Sequence, residues 1–518
     1  MIRPLLTVST GTLASRLLGF ARDAMVAALL GAGPVADAFL VAFQGTSVVR
    51  RMLTEGALNA ALVPAWLRIR DNDGAVAATV FAGRVLGSVS LAMAVAATLI
   101  GLAMPLVIAA LAPGFIGHAT LLLAVDNARL MLPYLAFAGP VAVMMGLLNA
   151  QHRFALAAFS PVLFNIALIC VMIGLLAWPQ DASHAALTMA AAVGIAGLLQ
   201  LLMLGTRVGG EKLAAPLLVS FDAAMRGFFL KGLAGMLANS GPQLLIVAGA
   251  IIASSTPSAV SWLYFANRLI ELPLGIVGVA MGTVLVPELT RAISGNGRAS
   301  LVHAESRGLE LAVGLALPAA LGLIVLSRPI VGALFEHGAF TPGDTVETAR
   351  ALALLALGLP AHVLVKALSP AFFARGDTTT PLWATLKGFA VAVVLALVLG
   401  QINGAAGIAA AIACGAWSNA LALIRRGNAS FGFSIDATAR RRLPRIVVAA
   451  IAMGALLWLT SAFLWPLVAN GLTQVAILGV MIIGGVAIYA LLLALFGVIG
   501  WAEAVRTLKG STPRDLRR

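Results

Sequence analysis

Six charged side chains, Arg16, Arg22, Asp23, Asp37, Arg50 and Arg51, stand within Ser15–Arg51, a stretch otherwise apolar enough for a bilayer (SRLLGFARDAMVAALLGAGPVADAFLVAFQGTSVVRR). A charge at the centre of a spanning helix costs ~2.5–3.5 kcal/mol on insertion scales. Such residues therefore face a protein interior or a wet cavity and are functional candidates by default. A guanidinium presents a planar fork of N–H donors that fits phosphate and carboxylate oxygens. The chemistry on offer is anion recognition away from bulk water.

Spacing arranges these groups. Asp37, Gln44 and Arg51 recur every seven residues and stack on one helix face, joined by Ser47 and Glu55. Arg16 and Asp23 are also seven apart, with Arg22 roughly 120° away in an ideal helix; Gly19 between the arginines could admit a bend. A second stripe holds Ser261, Tyr264, Arg268, Glu271 and Gly275. Ion pairing is the competing explanation, because Arg51 with Glu55, and Arg268 with Glu271, have helix-pair spacing. Yet Arg16, Arg22, Arg50, Arg51 and Arg268 outnumber Asp23, Asp37, Glu55 and Glu271, and an excess of guanidinium in an apolar interior calls for an anion from outside. Lys366, Arg375 and Lys387 gather near helix ends as cavity or portal candidates, able to meet an anionic headgroup or to snorkel. Arg84 reads as a snorkelling anchor, and Asp126 with Arg129 as an i,i+3 ion pair.

The elements that position these groups are membrane helices. The 518 residues are 61% hydrophobic and only 10% charged, with a mean hydropathy of +1.02. About fourteen apolar runs are long enough to cross a bilayer; some, such as 76–111 and 306–334, exceed the length needed. The fold class is all-α and polytopic. The net charge of +14 resides mainly in alternate loops: Arg68 and Arg70; His152 and Arg153; Arg207 and Lys212; Arg291 and Arg298; Arg375; Arg425, Arg426, Arg440, Arg441, Arg442 and Arg445. The intervening loops, such as Gln401–Gly404, are short and nearly free of Lys and Arg. The basic tail adds Arg506, Lys509, Arg514, Arg517 and Arg518. The positive-inside rule then places both termini in the cytoplasm, and the charge is topological rather than a sign of nucleic-acid binding. Arg16 and Arg22 interrupt the place of a signal-peptide core, so no cleavable signal is expected.

The chain also repeats. LVPAWLR at Leu62–Arg68 resembles LVPELTR at Leu285–Arg291, and the same offset sets Leu40 on Leu263 and Gln44 on Asn267. The interval holds an even number of runs, so both copies keep one orientation, as in a parallel repeat. The expected organisation is an N-lobe over 1–215 (spans 1–6), a C-lobe over 216–430 (spans 7–12), and 431–518 with spans 13–14 and the basic tail. The two lobes should face each other across a central cationic cavity. No loop reaches the length of an extramembrane catalytic domain. The six histidines lack ligand spacing, and Cys170 and Cys414 read as small buried hydrophobes. No nucleophile, metal site or cofactor is expected.

The segment SRLLGFARDAMVAALLGAGPVADAFLVAF with RRMLTEGALNAALVP resembles the N-terminal signature of the MurJ/MviN family. YFANRLIELPLGIVGVAMGTVLVPELTR resembles its second signature. That family sits within the multidrug/oligosaccharidyl-lipid/polysaccharide exporters, and its members flip lipid II, the lipid-linked peptidoglycan precursor, across the bacterial inner membrane. The resemblance implies functional roles for Arg16, Arg22, Asp37, Arg50, Arg51, Arg268 and Glu271; Asp23, Gln44 and Glu55, from the polar stripes, are further cavity or portal candidates. It implies a groove for the polyprenyl tail on the last two helices. It implies lipid II and membrane lipids as partners, and the cell-wall synthesis machinery as a candidate partner. The runner-up expectation is a flippase for another polyprenyl-linked glycan or a cation-coupled drug exporter. Some members are associated with a Na⁺ held by carboxylates and amides on spans 7, 11 and 12. Here span 7 has Asn239 without a mid-span Asp, and Asp377 lies at the start of span 11. The coupling cation stays open.

Overall fold

A computed structural model describes residues 2–52, 58–206, 218–220, 222, 225–230, 241–281, 285, 298–373, 375–431, 435–465 and 471–498. Among these the chain is helical and holds no strand. In hydrocarbon every backbone N–H and C=O must be bonded within the segment, and an α-helix achieves this by itself. The helices are α1 (Ile2–Leu30), α2 (Pro34–Met52), α3 (Leu58–Leu102), α4 (Met104–Leu111), α5 (Ala119–Ala150), α6 (Phe154–Ala177), α7 (Ala182–Thr206), α8 (Gly241–Ala253), α9 (Ala259–Ala280), α10 (Arg298–Val325), α11 (Ser327–Phe335), α12 (Pro342–Phe373), α13 (Thr379–Phe431), α14 (Ala437–Leu464) and α15 (Leu472–Leu495). A 3₁₀ turn, Pro113–Phe115, follows α4.

Nine of these, among the described residues, are long and apolar enough to cross a membrane. The helices that carry the charge clusters, α1, α2 and α9, are too polar to be among the nine. Two long helices are composite. α3 is broken at Gly74, and α13 at Asn403 and Gly404, where the sequence places a turn. Two long apolar runs divide. The run 76–111 splits between α3 and α4, where Pro105 at the start of α4 lacks the N–H that would continue a helix. The run 306–334 splits between α10 and α11 at Leu326.

The chain forms two compact units, Met1–Tyr264 with Phe335–Asp344, and Phe265–Leu334 with Thr345–Arg518. In the first, α5 is the central helix and packs on α2, α3 and α7, while α6 packs on α1 and α7. Its core gathers Leu62, Trp66, Val85, Val141, Leu147 and Phe228. In the second, α14 packs on α10 and α15, and the Tyr489 hydroxyl donates to the Gly314 carbonyl at 2.8 Å. Small residues bring the two arms of α13 together: a Cβ on Gly388 would lie 2.7 Å from the Gly415 carbonyl oxygen. Close backbone approach of this kind replaces the hydrophobic drive that lipid removes.

Candidate functional site

Arg22 is the best-held charge in the first unit. It is 8% exposed, and neighbouring Asp23 is 1% exposed. Its Nε and Nη2 donate to Asp23 Oδ1 at 2.9 and 2.6 Å. Its Nη1 donates to Asn165 Oδ1 on α6 at 3.0 Å, and Asn165 Nδ2 in turn donates to the Ser15 carbonyl at 3.1 Å. The guanidinium lies 4.9 Å from the centre of the Phe43 ring on α2, a cation–π distance. The Tyr264 hydroxyl on α9 donates to the same Asp23 Oδ1 at 3.1 Å. The cleft lined by Arg22, Asp23, Phe39, Phe43, Leu168 and Tyr264 leaves no room for a water. Desolvation is thus offset by an ion pair, an amide and a ring, as a buried guanidinium requires.

Asp37, also 1% exposed, caps a helix. Its Oδ2 accepts the Ser258 N–H at 2.8 Å, and its Oδ1 accepts the Ser261 N–H at 2.9 Å and the Ser261 hydroxyl. It thereby satisfies donors at the N-terminus of α9 that have no intrahelical partner, and its charge suits the positive end of the helix dipole. The same region holds the segment Phe335–Asp344. Trp262 Nε1 donates to Asp344 Oδ1 at 3.0 Å, and the Ala339 N–H donates to the Ala28 carbonyl at 2.8 Å. Gly31 and Gly338 permit this contact. Both have positive φ, 66° and 61°, and a Cβ on either would stand 2.3–2.4 Å from a backbone oxygen of the facing segment.

The other candidates separate. Arg16 is half-buried and makes no ion pair or hydrogen bond among the described residues. Gln44 and Arg51 are half-buried on α2. Arg50 lines a cavity of about 40 Å³ with Tyr134, Met145, Pro161 and Gln200. There the Gln200 amide donates to the Ser160 carbonyl at 2.8 Å. In the second unit Arg268 Nη1 donates to Glu271 Oε2 at 2.8 Å, with side chains 21% and 27% exposed, so the i,i+3 spacing does produce a pair. Arg375 bonds Glu305 at 2.9 Å and the Ala371 carbonyl at 2.6 Å. Lys366 and Lys387 are exposed, and Lys366 Nζ would lie 3.3 Å from a Cβ on Gly278.

Some expectations need correction. Asp126 and Arg129 are both exposed and form no ion pair; wide exposure leaves little to hold two flexible side chains together. Arg84 reaches Asp222 at 3.4 Å rather than standing alone. Both cysteines are exposed. Glu55, Arg207, Lys212, Asn239, Arg291 and the tail residues Arg506, Lys509, Arg514, Arg517 and Arg518 lie outside the described residues. Asp377 caps α13, accepting the Thr379 and Thr380 N–H groups at 3.1 and 2.9 Å. Its carboxyl is held below the ordinary value, first by the Thr380 side chain and then by these N–H groups. Among the described residues no group of three His, Cys, Asp or Glu side chains gathers as a metal site.

Sequence reasoning missed Asn165, Phe43 and the pairing of Arg22 with Asp23. A lone Asn inside the apolar run of α6 was the available signal, since a polar side chain at membrane depth seeks a partner.

A polytopic helical bundle with partnered arginines inside its apolar units is the architecture of a membrane transporter. Comparison with known proteins narrows this. The family described as lipid II flippase MurJ matches residues 26–498. A probable lipid II flippase MurJ of Rhizobium meliloti is 38% identical over 473 residues, covering 88% of this chain and 86% of the relative. That of Rhizobium tropici is 34% identical over 525 residues, covering 99% and 97%. The lipid II flippase MurJ of Burkholderia cenocepacia is 31% identical over 502 residues, covering 94% and 96%. Among solved structures, a lipid II flippase MurJ in an inward closed conformation aligns with a TM-score of 0.78 at 22% identity, over 95% of this chain and 98% of that one. An inward-facing MATE family transporter of the MOP superfamily aligns at 0.65 and 15% identity, over 86% and 98%. The chain belongs to the MurJ lipid II flippase family. It is a multi-pass membrane transporter and not an enzyme.

Proposed function

We propose that this protein moves lipid II from the cytoplasmic to the periplasmic leaflet of the bacterial inner membrane by alternating access, and so serves peptidoglycan synthesis. The observation that carries the reading is the family match over residues 26–498, joined to arginines held inside apolar sequence. Arg16, Arg22, Arg50, Arg51 and Arg268 are the proposed ligands of the pyrophosphate and peptide carboxylates, replacing hydration lost on leaving water. Glu271 tunes Arg268 through their ion pair, and Asp37 holds the start of α9. Asp23, Gln44 and Glu55 accompany them, with Lys366, Arg375 and Lys387 at the portal. The repeat over 1–215 and 216–430 supplies the alternating elements, and 431–518 carries the polyprenyl tail. Both termini lie in the cytoplasm. Membrane lipids and the cell-wall synthesis machinery are the proposed partners.

No covalent step is needed. A transporter of cationic drugs would require an acidic interior, whereas arginines predominate here. The test is rescue of a bacterium depleted of its own flippase, joined to a flipping assay on purified protein in vesicles. Wild-type rescue is expected, with failure for Arg16→Ala, Arg22→Ala and Arg268→Ala. Full rescue by all three variants would remove the ligand assignment. Flipping of another polyprenyl-linked glycan but not lipid II would change the substrate.

A further inference from the structure

We propose that Tyr264 is a positioning residue that couples anion binding at Arg22 to the first turn of α9. The inference rests on the flippase reading for the identity of the anion. Three donors converge on one oxygen: Arg22 Nε at 2.9 Å, Arg22 Nη2 at 2.6 Å and the Tyr264 hydroxyl at 3.1 Å all meet Asp23 Oδ1. Phe39, Phe43 and Leu168 close the cleft around them, with no room for a water. A phosphate or carboxylate bound by Arg22 therefore needs a present partner to give way: Nη1 is engaged by Asn165, and Nε and Nη2 both by Asp23 Oδ1, the one acceptor whose displacement frees two donors of a single edge.

That exchange has a consequence for Tyr264. When Asp23 Oδ1 leaves Arg22, the carboxylate moves or turns, and the hydroxyl that follows it is drawn along or released. Tyr264 sits one turn after Ser261, whose N–H and hydroxyl are held by Asp37, and two residues after Trp262, which is held by Asp344. The first two turns of α9 are thus fastened at these three points, and of the three the Tyr264 point shares its acceptor with the proposed ligand-binding arginine. Arg268 follows Tyr264 by four residues on the same helix. Occupation of Arg22 is in this way reported to α9 through a phenol that never touches the substrate. A ligand shifts such an equilibrium only through a difference in contacts between the two states, and the shared oxygen supplies that difference.

The test uses full-length protein in lipid vesicles, with Tyr264→Phe as the variant; it keeps the ring and removes the donor. Lipid II affinity and hydrogen exchange over residues 259–266 are measured together. Lipid II should raise exchange in the wild type by roughly tenfold, a common size for coupling between sites. In Tyr264→Phe exchange should be raised before ligand is added and change less than about twofold on binding, with affinity raised by up to about tenfold, since binding no longer has to break the Tyr264 contact, and flipping slowed roughly tenfold. Unchanged protection over α5–α7 shows that the variant is folded. A wild-type response in the variant, or no response in wild type with lipid II bound, overturns the inference while leaving the flippase reading intact. Failure of wild type to bind lipid II overturns that reading. In that case the coupling falls with it, whatever ligand-free exchange the variant shows.

Discussion

Arg22 and Arg268 carry the same guanidinium and each has a carboxylate partner, yet they are held differently. Arg22 is enclosed, with an ion pair, an amide and an aromatic ring around it. Arg268 keeps about a fifth of its side chain accessible and relies on Glu271, also partly accessible. Enclosure makes Arg22 part of the architecture as well as a proposed ligand. Partial accessibility lets Arg268 exchange its Glu271 partner at a smaller structural cost than Arg22 would meet with Asp23. The lesson is that a charge cluster read as a functional unit can contain members with very different structural debts.

Substitutions can break this contrast, and the largest effect belongs to Arg22→Ala. It leaves Asp23 buried without its counter-charge, and removal of one partner from a buried pair costs about 3–5 kcal/mol. Thermal or denaturant unfolding in detergent should report that loss alongside lost flipping; a change below ~1 kcal/mol would mean that Asp23 is not dependent on Arg22. Next is Asp37→Ala, which strips two N–H groups and a hydroxyl of α9 of their acceptor. The expected loss is about 1–3 kcal/mol, read by the same unfolding measurement, with exchange raised first over residues 258–262.

Asp436 offers a more accessible counterpart of that cap. It starts α14, accepting the Ala439 N–H at 2.6 Å and facing His303 at 3.0 Å. Asp436→Ala should cost about 1 kcal/mol. The Ala439 N–H, and secondarily His303, hold its carboxyl below the ordinary value of 3.8. A lowered folded value means the unfolded state binds the proton more tightly. The contribution is therefore complete above pH 3.8 and fades as pH falls through the lowered value. A stability profile that lost it near neutrality would contradict the assignment.

Arg268→Ala should change stability by about 0–1 kcal/mol yet slow flipping roughly 10–100-fold, the loss of one charged hydrogen bond to the substrate. Equal damage to stability in Arg22→Ala and Arg268→Ala would erase the contrast. The smallest structural effect is expected for Arg16→Ala, within about 0.5 kcal/mol, because no described group depends on it. A flipping defect in that variant would then report binding alone.

The sequence made local relations legible and distant ones obscure. Apolar runs announced the helices, and Gln401–Gly404 announced the break in α13, because hydropathy and Gly–Asn chemistry act over a few residues. Arg268 with Glu271 was readable from i,i+3 spacing. Arg22 with Asp23 was not, since successive helix positions diverge and only the length of the Arg side chain brings the groups together. Asp37 as a cap for Ser258 and Ser261 lies beyond any periodicity, its partners being more than two hundred positions away. Asn165 and Tyr264 were visible as polar residues, but nothing local named their partners.

The adjacency of Arg22 and Asp23 also bears on how the protein is made. Two neighbouring residues can pair within a single helix before any other helix has been synthesised. α1 can thus leave the insertion machinery with this arginine already neutralised, lowering a cost that each isolated charge would impose on entry into lipid. A buried pair assembled from two helices would lack that protection until both had arrived. The bond that closes the site in the finished protein is also one that the newborn first helix can form by itself.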